Sequence, residues 1–370
     1  MVNRISTSSK YSQLVLDMQR NMYKYDKLTK QIASGKKIMN ITDDPLAAVN
    51  ILNTNRQLGQ IDTFTQNVQM ASKELGALDD FFDLAGGYLT EAWDKAIQAN
   101  NQTYGKTSLE ALKVEIDEIT KTMVDLANSE YNDNYIFGGA NTKITPYVME
   151  DNGDIIYRGT MHDNPDYIRQ TEVADGVFEV INTTGDKVFG WYKDGQAQTS
   201  DGKNIFLDVD GKEVIETINP DDTKTYNYEN GDEYTGDVAD LTEKGNYSGV
   251  LGALRVLSDS IQDVIDAIDL GDKDALEAGY EKMRSTLDMF GKSHTEILNE
   301  QTKFGGVFNR MEMTSSTLET SGENLTGYLS QLQDIDLSQA ITDWYMAQYA
   351  YQASLQVSAQ SLNMSLLNYM

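Results

Sequence analysis

The stretch from Leu276 to Leu332 decides the fold, and it reads LEAGYEKMRSTLDMFGKSHTEILNEQTKFGGVFNRMEMTSSTLETSGENLTGYLSQL. Apolar side chains recur in it at alternating intervals of three and four residues, starting with Tyr280 and Met283. This spacing places them on one face of a helix, which at ~1.5 Å per residue would be roughly 85 Å long if unbroken. Helices of ordinary globular domains average about a dozen residues. The stretch therefore predicts a coiled coil or an elongated bundle, with glycines such as Gly305 and Gly306 as places for local kinks.

The same apolar spacing occurs in both flanks of the chain. It predicts further helices over residues 11–32, 61–99, 109–126, 250–268 and 337–369. The helix that contains 61–99 is predicted to begin at Pro45, with Asp44 as its N-cap, because proline suits the first helical position. The other three prolines lie between residues 146 and 220, so the flanks lack the strongest helix breaker elsewhere.

Residues 146–245 have a different character. Glycine, aspartate, asparagine and tyrosine become frequent, and the helical period disappears. Short β-prone runs, such as Ile155-Ile156-Tyr157 and Lys187-Val188-Phe189, lie between turn signals such as Asn230-Gly231. This segment is predicted to be a β-rich domain that faces solvent.

These patterns together predict an α+β multi-domain protein. Both chain ends would form an elongated α-helical coiled-coil bundle, with the β-rich outer domain inserted between its two halves. We expect three domains: a terminal coiled-coil domain of residues 1–40 plus 337–370, a long-helix bundle of 41–145 plus 246–336, and the outer domain of 146–245.

Charge is distributed unevenly along the chain. The formal net charge is −28, which argues against nucleic acids and anionic membranes as partners because both would be repelled. Residues 1–40 nevertheless contain eight Lys or Arg and only two Asp, whereas residues 331–370 contain three Asp and no basic residue. Complementary charge could steer the pairing of the two ends. The alternative is two ordinary solvated helix faces.

Several other classes of protein are excluded or disfavoured. The chain has no cysteine, which excludes disulfides and thiolate sites. It has no apolar run near the ~20 residues of a membrane-spanning helix. The first ten residues lack the apolar region of a secretory signal peptide, so we expect any export to use another route.

The sequence offers no convincing chemical site. His162 and His294 are the two histidines, and neither has a nucleophile and an orienting group beside it in a known motif. Asp208, Asp210 and Glu213 resemble part of a calcium loop, but the full ligand set is absent and turn residues explain them better. We therefore predict no catalytic residue, cofactor or metal, and a protein that is not an enzyme.

The apolar stripes continue almost to both chain termini, where polar and frayed segments are usual. Such stripes need a cover, which could be the other chain end, a neighbouring copy, or the domain to which the helix belongs. We predict that they form an assembly interface. Its residues would be Tyr11, Val15, Met18, Met22, Tyr25, Ile32, Leu337, Ile341, Trp344, Tyr351, Leu355, Leu362, Leu366 and Tyr369.

Four motifs, in order, resemble the flagellin superfamily. Residues 31–38 (QIASGKKI) with 42–48 (TDDPLAA) are similar to its N-terminal region, and residues 340–355, which contain AITD and YQASL, to its C-terminal region. Pro45 after the Asp pair, and residues 134–142 (NYIFGGANT), favour the subunits of the hook–filament junction over filament flagellins. One departure is that residues 195–245 are longer than a minimal member needs.

This resemblance implies a structural role in the bacterial flagellum. It implies secretion through the flagellar export apparatus, an export chaperone before secretion, and self-assembly into a ring or short helical layer. It also implies contacts with the adjacent hook-associated junction protein and with flagellin, and no insertion into a membrane. The alternatives are filament flagellin itself, or a coiled-coil surface fibre whose β domain binds carbohydrate or a host.

Overall fold

A computed structural model describes residues 7–199, 203–207, 212–218, 223–236, 238 and 241–367. Long helices form both flanks of the chain and antiparallel strands form its middle. The helices are α1 Thr7–Ser34, α2 Pro45–Ala99, α3 Lys106–Ala127, α4 Gly185–Val188, α5 Gly249–Leu270, α6 Lys273–Gln333 and α7 Leu337–Leu367. The six helices predicted from the apolar spacing are all present, and the α+β fold class is confirmed. None of the described helices is long and apolar enough to span a bilayer.

The long helices follow the rules of capping and packing. Asp44 accepts a hydrogen bond from the backbone N–H of Ala47 at 3.0 Å, so it caps α2 as predicted, and Pro45 is the first helical residue. Helix α6 continues through Gly305 and Gly306. Each glycine costs about 1 kcal/mol relative to alanine, and the buried side chain of Phe304 beside them packs the helix in place.

The chain divides into two compact units. We call residues 1–65 with 316–370 the terminal unit, and residues 66–315 the central unit. Helices α2 and α6 each contribute to both units. The division into three domains stays a prediction.

In the terminal unit, α1 packs against α7. The turn that follows α1 is hydrogen-bonded to the segment between α6 and α7. The backbone N–H of Lys37 donates to the Gln333 carbonyl at 2.8 Å, and that of Ile335 donates to the Gly35 carbonyl at 3.0 Å. These bonds join the turn after α1 to the residues where α6 ends and α7 begins. Gly35 adopts the left-handed conformation (φ +70°) that the turn requires.

The core of the central unit lies where α3 and α5 pack together. Helix α5 is buried on most of its surface. Within this unit α2 and α6 also meet: the rings of Phe82 in α2 and Phe304 in α6 stack, with their centroids 6.3 Å apart. Both rings are buried, as the heptad spacing predicts for residues of a seam.

Twelve short strands lie in the middle of the described chain, and every described pair is antiparallel. They form two four-stranded sheets, in the orders β12-β7-β4-β3 and β10-β9-β8-β11, and the two-stranded pairs β1-β2 and β5-β6. Their bounds are β1 Glu130–Tyr131, β2 Asn134–Tyr135, β3 Tyr147–Met149, β4 Ile155–Tyr157, β5 Gln170–Ala174, β6 Val177–Val180, β7 Trp191–Gln196, β8 Ile205–Leu207, β9 Glu213–Ile218, β10 Lys224–Tyr228, β11 Thr242–Glu243 and β12 Gly245–Ser248.

One strand prediction is wrong. The run Lys187-Val188-Phe189 belongs to the short helix α4 and its C-terminal end. Both Val188 and Phe189 are fully buried, which a turn of helix allows and the alternation of a strand opposes. The Phe189 ring packs edge-on against Phe137 at 4.8 Å, so tertiary packing overrides the β propensity of this run.

Candidate assembly surface on the terminal helices

Helices α1 and α7 meet through an aromatic cluster in the terminal unit. The Tyr25 ring lies 5.6 Å from Trp344 and 6.2 Å from Tyr351, nearly parallel to the latter. The indole N–H of Trp344 donates to the Thr29 hydroxyl at 2.8 Å. This cluster fixes the register of the two helices, because an indole that is partly buried needs a partner for its N–H.

The rest of the α7 surface that faces α1 consists of small side chains. Ala340 and Ala347 are buried, and Ser354 and Ser358 are half-buried. They follow the same three–four spacing as the aromatic residues Trp344 and Tyr351. Because alanine and serine bury little apolar surface, this inner seam stabilises the pair weakly.

The structure separates the predicted interface residues into two groups. Met18, Tyr25, Ile32, Trp344 and Tyr351 are half-buried between the two helices. The other described ones have exposed side chains: Val15, Met22, Leu337, Ile341 and Leu355. The backbone of Tyr11, Leu362 and Leu366 is helical, but their side chains are not among those described, and Tyr369 lies outside the described residues. Their role in an interface stays a prediction.

The prediction missed residues on both sides of the helix pair. Ala340 and Ala347 of the inner seam follow its spacing, but the sequence prediction does not include them because small residues add little to an apolar pattern. Further large apolar side chains are exposed: Leu16, Tyr23, Tyr345, Met346, Tyr349 and Val357. Large exposed apolar side chains on two paired helices indicate an interaction surface.

A cleft of about 400 Å³ lies beside the aromatic cluster in the terminal unit. Three residues of α1 and three of α7 line it: Thr29, Ile32, Ala33, Ile341, Trp344 and Tyr345. Most of its lining is apolar side chain. Two predicted interface residues, Ile32 and Ile341, thus meet at one concave surface.

The loop between α1 and α2 is held by Asp43. Its carboxylate accepts hydrogen bonds from the Lys27 ammonium at 2.7 Å and from the backbone N–H groups of Asn40 and Met39 at 3.1 and 3.2 Å. The bond from Lys27, followed by those from the two backbone groups, lowers the pKa of the Asp43 carboxyl from its usual value. The side chain of Ile41 in this loop is left exposed.

The two histidines are engaged with neighbours in the central unit. His162 Nδ1 lies 2.7 Å from the buried Asp186 carboxylate. The half-buried His294 ring lies 6.2 Å from Trp93. Among the described residues no group of three or more His, Asp or Glu could hold a metal ion, and Asp208 and Asp210 lie outside those residues.

Comparison with known proteins extends this description. The family models described as bacterial flagellin N-terminal helical region and bacterial flagellin C-terminal helical region match residues 5–142 and 287–370. The chain belongs to the flagellin family. The two matched segments contain α1, α2, α3 and α7, so the family region includes the helix pair that carries the candidate surface.

Individual relatives differ in how much of this flagellin-family chain they match. Flagellar hook-associated protein 3 of Escherichia coli is 22% identical over 98% of both chains. Flagellin of Bacillus subtilis is 24% identical, but over 52% of this chain and 57% of its own. The crystal structure of flagellar hook-associated protein 3 from Legionella pneumophila has the same fold, with a TM-score of 0.54 and 16% identity over 76% of this chain and 98% of that one.

Proposed function

We propose that this chain is a structural subunit of the bacterial flagellum that polymerises at the hook–filament junction, and that it connects the hook-side junction protein to the flagellin filament. The family is a structural one, so the chain is not an enzyme. The similarity to a hook-associated protein along 98% of both chains supports a role at the junction. The similarity to a flagellin extends over only about half of this chain.

The observation that carries the proposal is the set of exposed apolar side chains on α1 and α7. Apart from the aromatic cluster, the two helices meet through small side chains that bury little apolar surface, so isolated subunits gain little from ordering them. Neighbouring subunits that cover Leu355, Ile341 and the other exposed apolar side chains of α1 and α7 would bury this apolar surface. Ordering of the terminal helices is then coupled to assembly, which keeps free subunits from polymerising elsewhere.

The location and partners follow from the same proposal. The place of action is the flagellum, and the subunit forms a ring or short helical layer there. It leaves the cell through the flagellar export apparatus and is held by an export chaperone before secretion. Its two neighbours along the axis are the adjacent hook-associated junction protein and flagellin.

Deletion of residues 338–370, which removes nearly all of α7, tests the proposal. In a strain that lacks its own copy, the unaltered chain should restore attached filaments and the truncated chain should not. Circular dichroism of the purified truncated chain should show that the central unit stays folded, and the protein should still reach the medium. Normal filament attachment with the truncated chain would refute the assignment.

A pair of adjacent substitutions separates the apolar surface from the mere presence of the helix. Leu355 and Gln356 are both exposed on α7. Leu355→Asp removes one of the apolar groups that the assembled neighbours should cover, so it should weaken attachment. Gln356→Asp introduces the same charge one residue away and should be tolerated better.

Filament flagellin is the second candidate, because the match to the Bacillus flagellin includes half of this chain. Purified protein added to filament seeds separates the two functions. A filament flagellin would extend the seeds into long filaments, whereas a junction subunit would not.

A further inference from the structure

Helix α1 has a second face, opposite the seam that it forms with α7. Leu16, Arg20 and Tyr23 lie on this outer face, about half a turn away from Tyr25, and Lys24 lies at its edge, about 100° from Tyr25. All four side chains are exposed, and Tyr23 keeps 69% of its surface accessible. Two apolar and two basic side chains of one helix face are thus left uncovered by the described residues of the terminal unit.

The basic groups of this face have little engagement within the chain. Lys24 has no carboxylate within 4 Å among the described residues, and Arg20 has one pairing, with Asp17 at 3.6 Å, in which the Arg20 side chain is 76% exposed. An exposed pair between neighbouring turns at this distance contributes little. The face therefore stays positively charged, although the chain as a whole carries a net charge of −28.

The part of α6 in the terminal unit presents the complementary pattern. Its inner side packs through Leu318, which is buried, and through Gly322, which faces Ile61 of α2. On its outer side Glu319 and Glu323 are exposed, and in the described chain neither has a basic group within 4 Å.

Gly327 lies one further turn along the same outer row of α6. A Cβ added there would meet no described atom within 4 Å. The outer face of α6 thus offers two unpaired carboxylates beside a position where another backbone can approach closely.

The two faces match in charge and in spacing. Arg20 and Lys24 are separated by four residues, as are Glu319 and Glu323, and four residues rise ~6 Å along a helix axis. We propose that the outer face of α1 in one copy of this chain docks on the outer face of α6 in a second copy. With the two helices antiparallel, Arg20 then meets Glu323, Lys24 meets Glu319, and Leu16 lies over Gly327, because each row is spaced by four residues. This inference rests on the proposed function, and it names which surfaces of neighbouring subunits meet.

The contact gives a role to the two basic side chains on the outer face of α1. Ion pairs at a surface contribute little affinity, but they select the partner and its register. The apolar surface of α1 and α7 would supply the attraction between copies. The charged rows would ensure that the correct helices come together in that interface.

Charge exchange tests the contact in the strain described above. Two half-exchanged chains carry either Arg20→Glu with Lys24→Glu, or Glu319→Lys with Glu323→Lys. Each places like charges opposite one another, so we expect a roughly tenfold loss of attached filaments. The chain that carries all four substitutions restores opposite charges and should recover attachment. Secretion into the medium and the far-ultraviolet circular dichroism of each chain should equal those of the unaltered protein.

A control makes the same change of net charge elsewhere in the terminal unit. Lys36→Glu with Arg56→Glu alters two exposed basic residues outside the α1 face, and should leave attachment close to that of the unaltered chain. If this control loses attachment as strongly as the half-exchanged chains, net charge alone is responsible and the inference is overturned. The inference is also overturned if the half-exchanged chains attach filaments normally. It is overturned as well if the chain with all four substitutions is exported and folded but does not recover filament attachment.

Cysteine crosslinking gives a second measurement, because the chain has no cysteine of its own. Chains with Leu16→Cys and chains with Gly327→Cys, carrying different tags, are produced together and isolated with their flagella. A disulfide between the two tagged chains is expected, and Lys36→Cys in place of Leu16→Cys should abolish it. A bond to a different protein, or none, overturns the inference. Failure of the unaltered chain to restore filaments would instead refute the proposed function.

Discussion

Gly190 lies just before strand β7, where the chain comes within van der Waals distance of the segment that starts α5. Its φ is +73°, and a Cβ at this position would overlap the Ser248 carbonyl. The Gly190 carbonyl also accepts a hydrogen bond from the buried Tyr147 hydroxyl at 2.9 Å. Gly190→Ala should therefore lower the free energy of unfolding of the central unit by about 3 kcal/mol or more, because backbone strain and overlap add.

Gly176 is the matched control for this prediction. It has nearly the same φ, +70°, but its Cβ would meet no described atom within 4 Å. Gly176→Ala should cost about 1 kcal/mol, from the left-handed backbone alone. Urea unfolding of the two variants gives the comparison. Equal losses of stability would mean that the close approach at Ser248 is absent.

Asp43 makes the stability of the terminal unit depend on pH. Because its pKa is lowered in the folded state, its contribution is present at neutral pH and is lost as the pH falls through that lowered value. Asp43→Asn should destabilise the unit by about 1–2 kcal/mol at about pH 6, since two charge-assisted backbone bonds and the Lys27 pair are weakened. As the pH falls through the lowered pKa of Asp43, the difference should shrink.

Emission from Trp344 follows the unfolding of the terminal unit when Trp93 and Trp191, both in the central unit, are replaced by Phe. The unaltered chain and the Asp43→Asn chain are compared from neutral to acidic pH. If their difference in stability stays constant, the ionised Asp43 carboxylate does not stabilise the terminal unit. Asp44→Asn is a useful comparison, because asparagine also caps a helix and should change stability little.

At the scale of elements, the sequence predicts the long helices better than the strands. A seam that repeats over many turns outweighs individual glycines, so α2 and α6 could be located from spacing alone. The run Lys187-Val188-Phe189 is too short for a period to be read, and its buried contact with Phe137 decides its conformation. The Asp44–Pro45 start was predictable because the capping chemistry is local.

The candidate surface was predictable only in part. The sequence predicts one apolar stripe on α7, but the structure half-buries Trp344 and Tyr351 and leaves Ile341 and Leu355 exposed. The inward side of α7 is completed by alanines and serines, which carry almost no hydrophobic signal. Which face of α7 turns inward depends on how α7 packs against α1. The sequence of α7 alone does not specify this packing.

The packing of α5 leads to a prediction about the core. Leu254 is fully buried in α5, whereas Leu270, at the end of the same helix, is 82% exposed. Leu254→Ala should leave a cavity and cost about 3–5 kcal/mol of unfolding free energy. Leu270→Ala removes the same atoms from water-exposed surface and should change stability by less than ~0.5 kcal/mol. Chemical denaturation measures both, and a small loss for Leu254→Ala would contradict the assignment of α5 to the core.

At the scale of the whole molecule, the two units use their apolar residues differently. Nearly all of the buried apolar residues belong to the central unit, as the fully buried residues of α3 and α5 illustrate. The terminal unit leaves large ones on its surface and fills its inner seam with small ones. A protein that works as an isolated molecule would gain nothing from this arrangement. It is understandable if the final environment of α1 and α7 includes other subunits.

Hydrogen exchange can test this difference between the units directly. In the isolated chain, amides of α3 and α5 should be protected by factors of at least ~10³, because they open only with the central unit. Amides of α7 should exchange far faster, since few buried contacts hold the helix on α1. In flagella that contain the protein, α7 should become protected, while α3 and α5 change little. If α7 in the isolated chain is protected as strongly as α5, its exposed apolar face is stable without neighbours, and coupling between ordering and assembly is wrong.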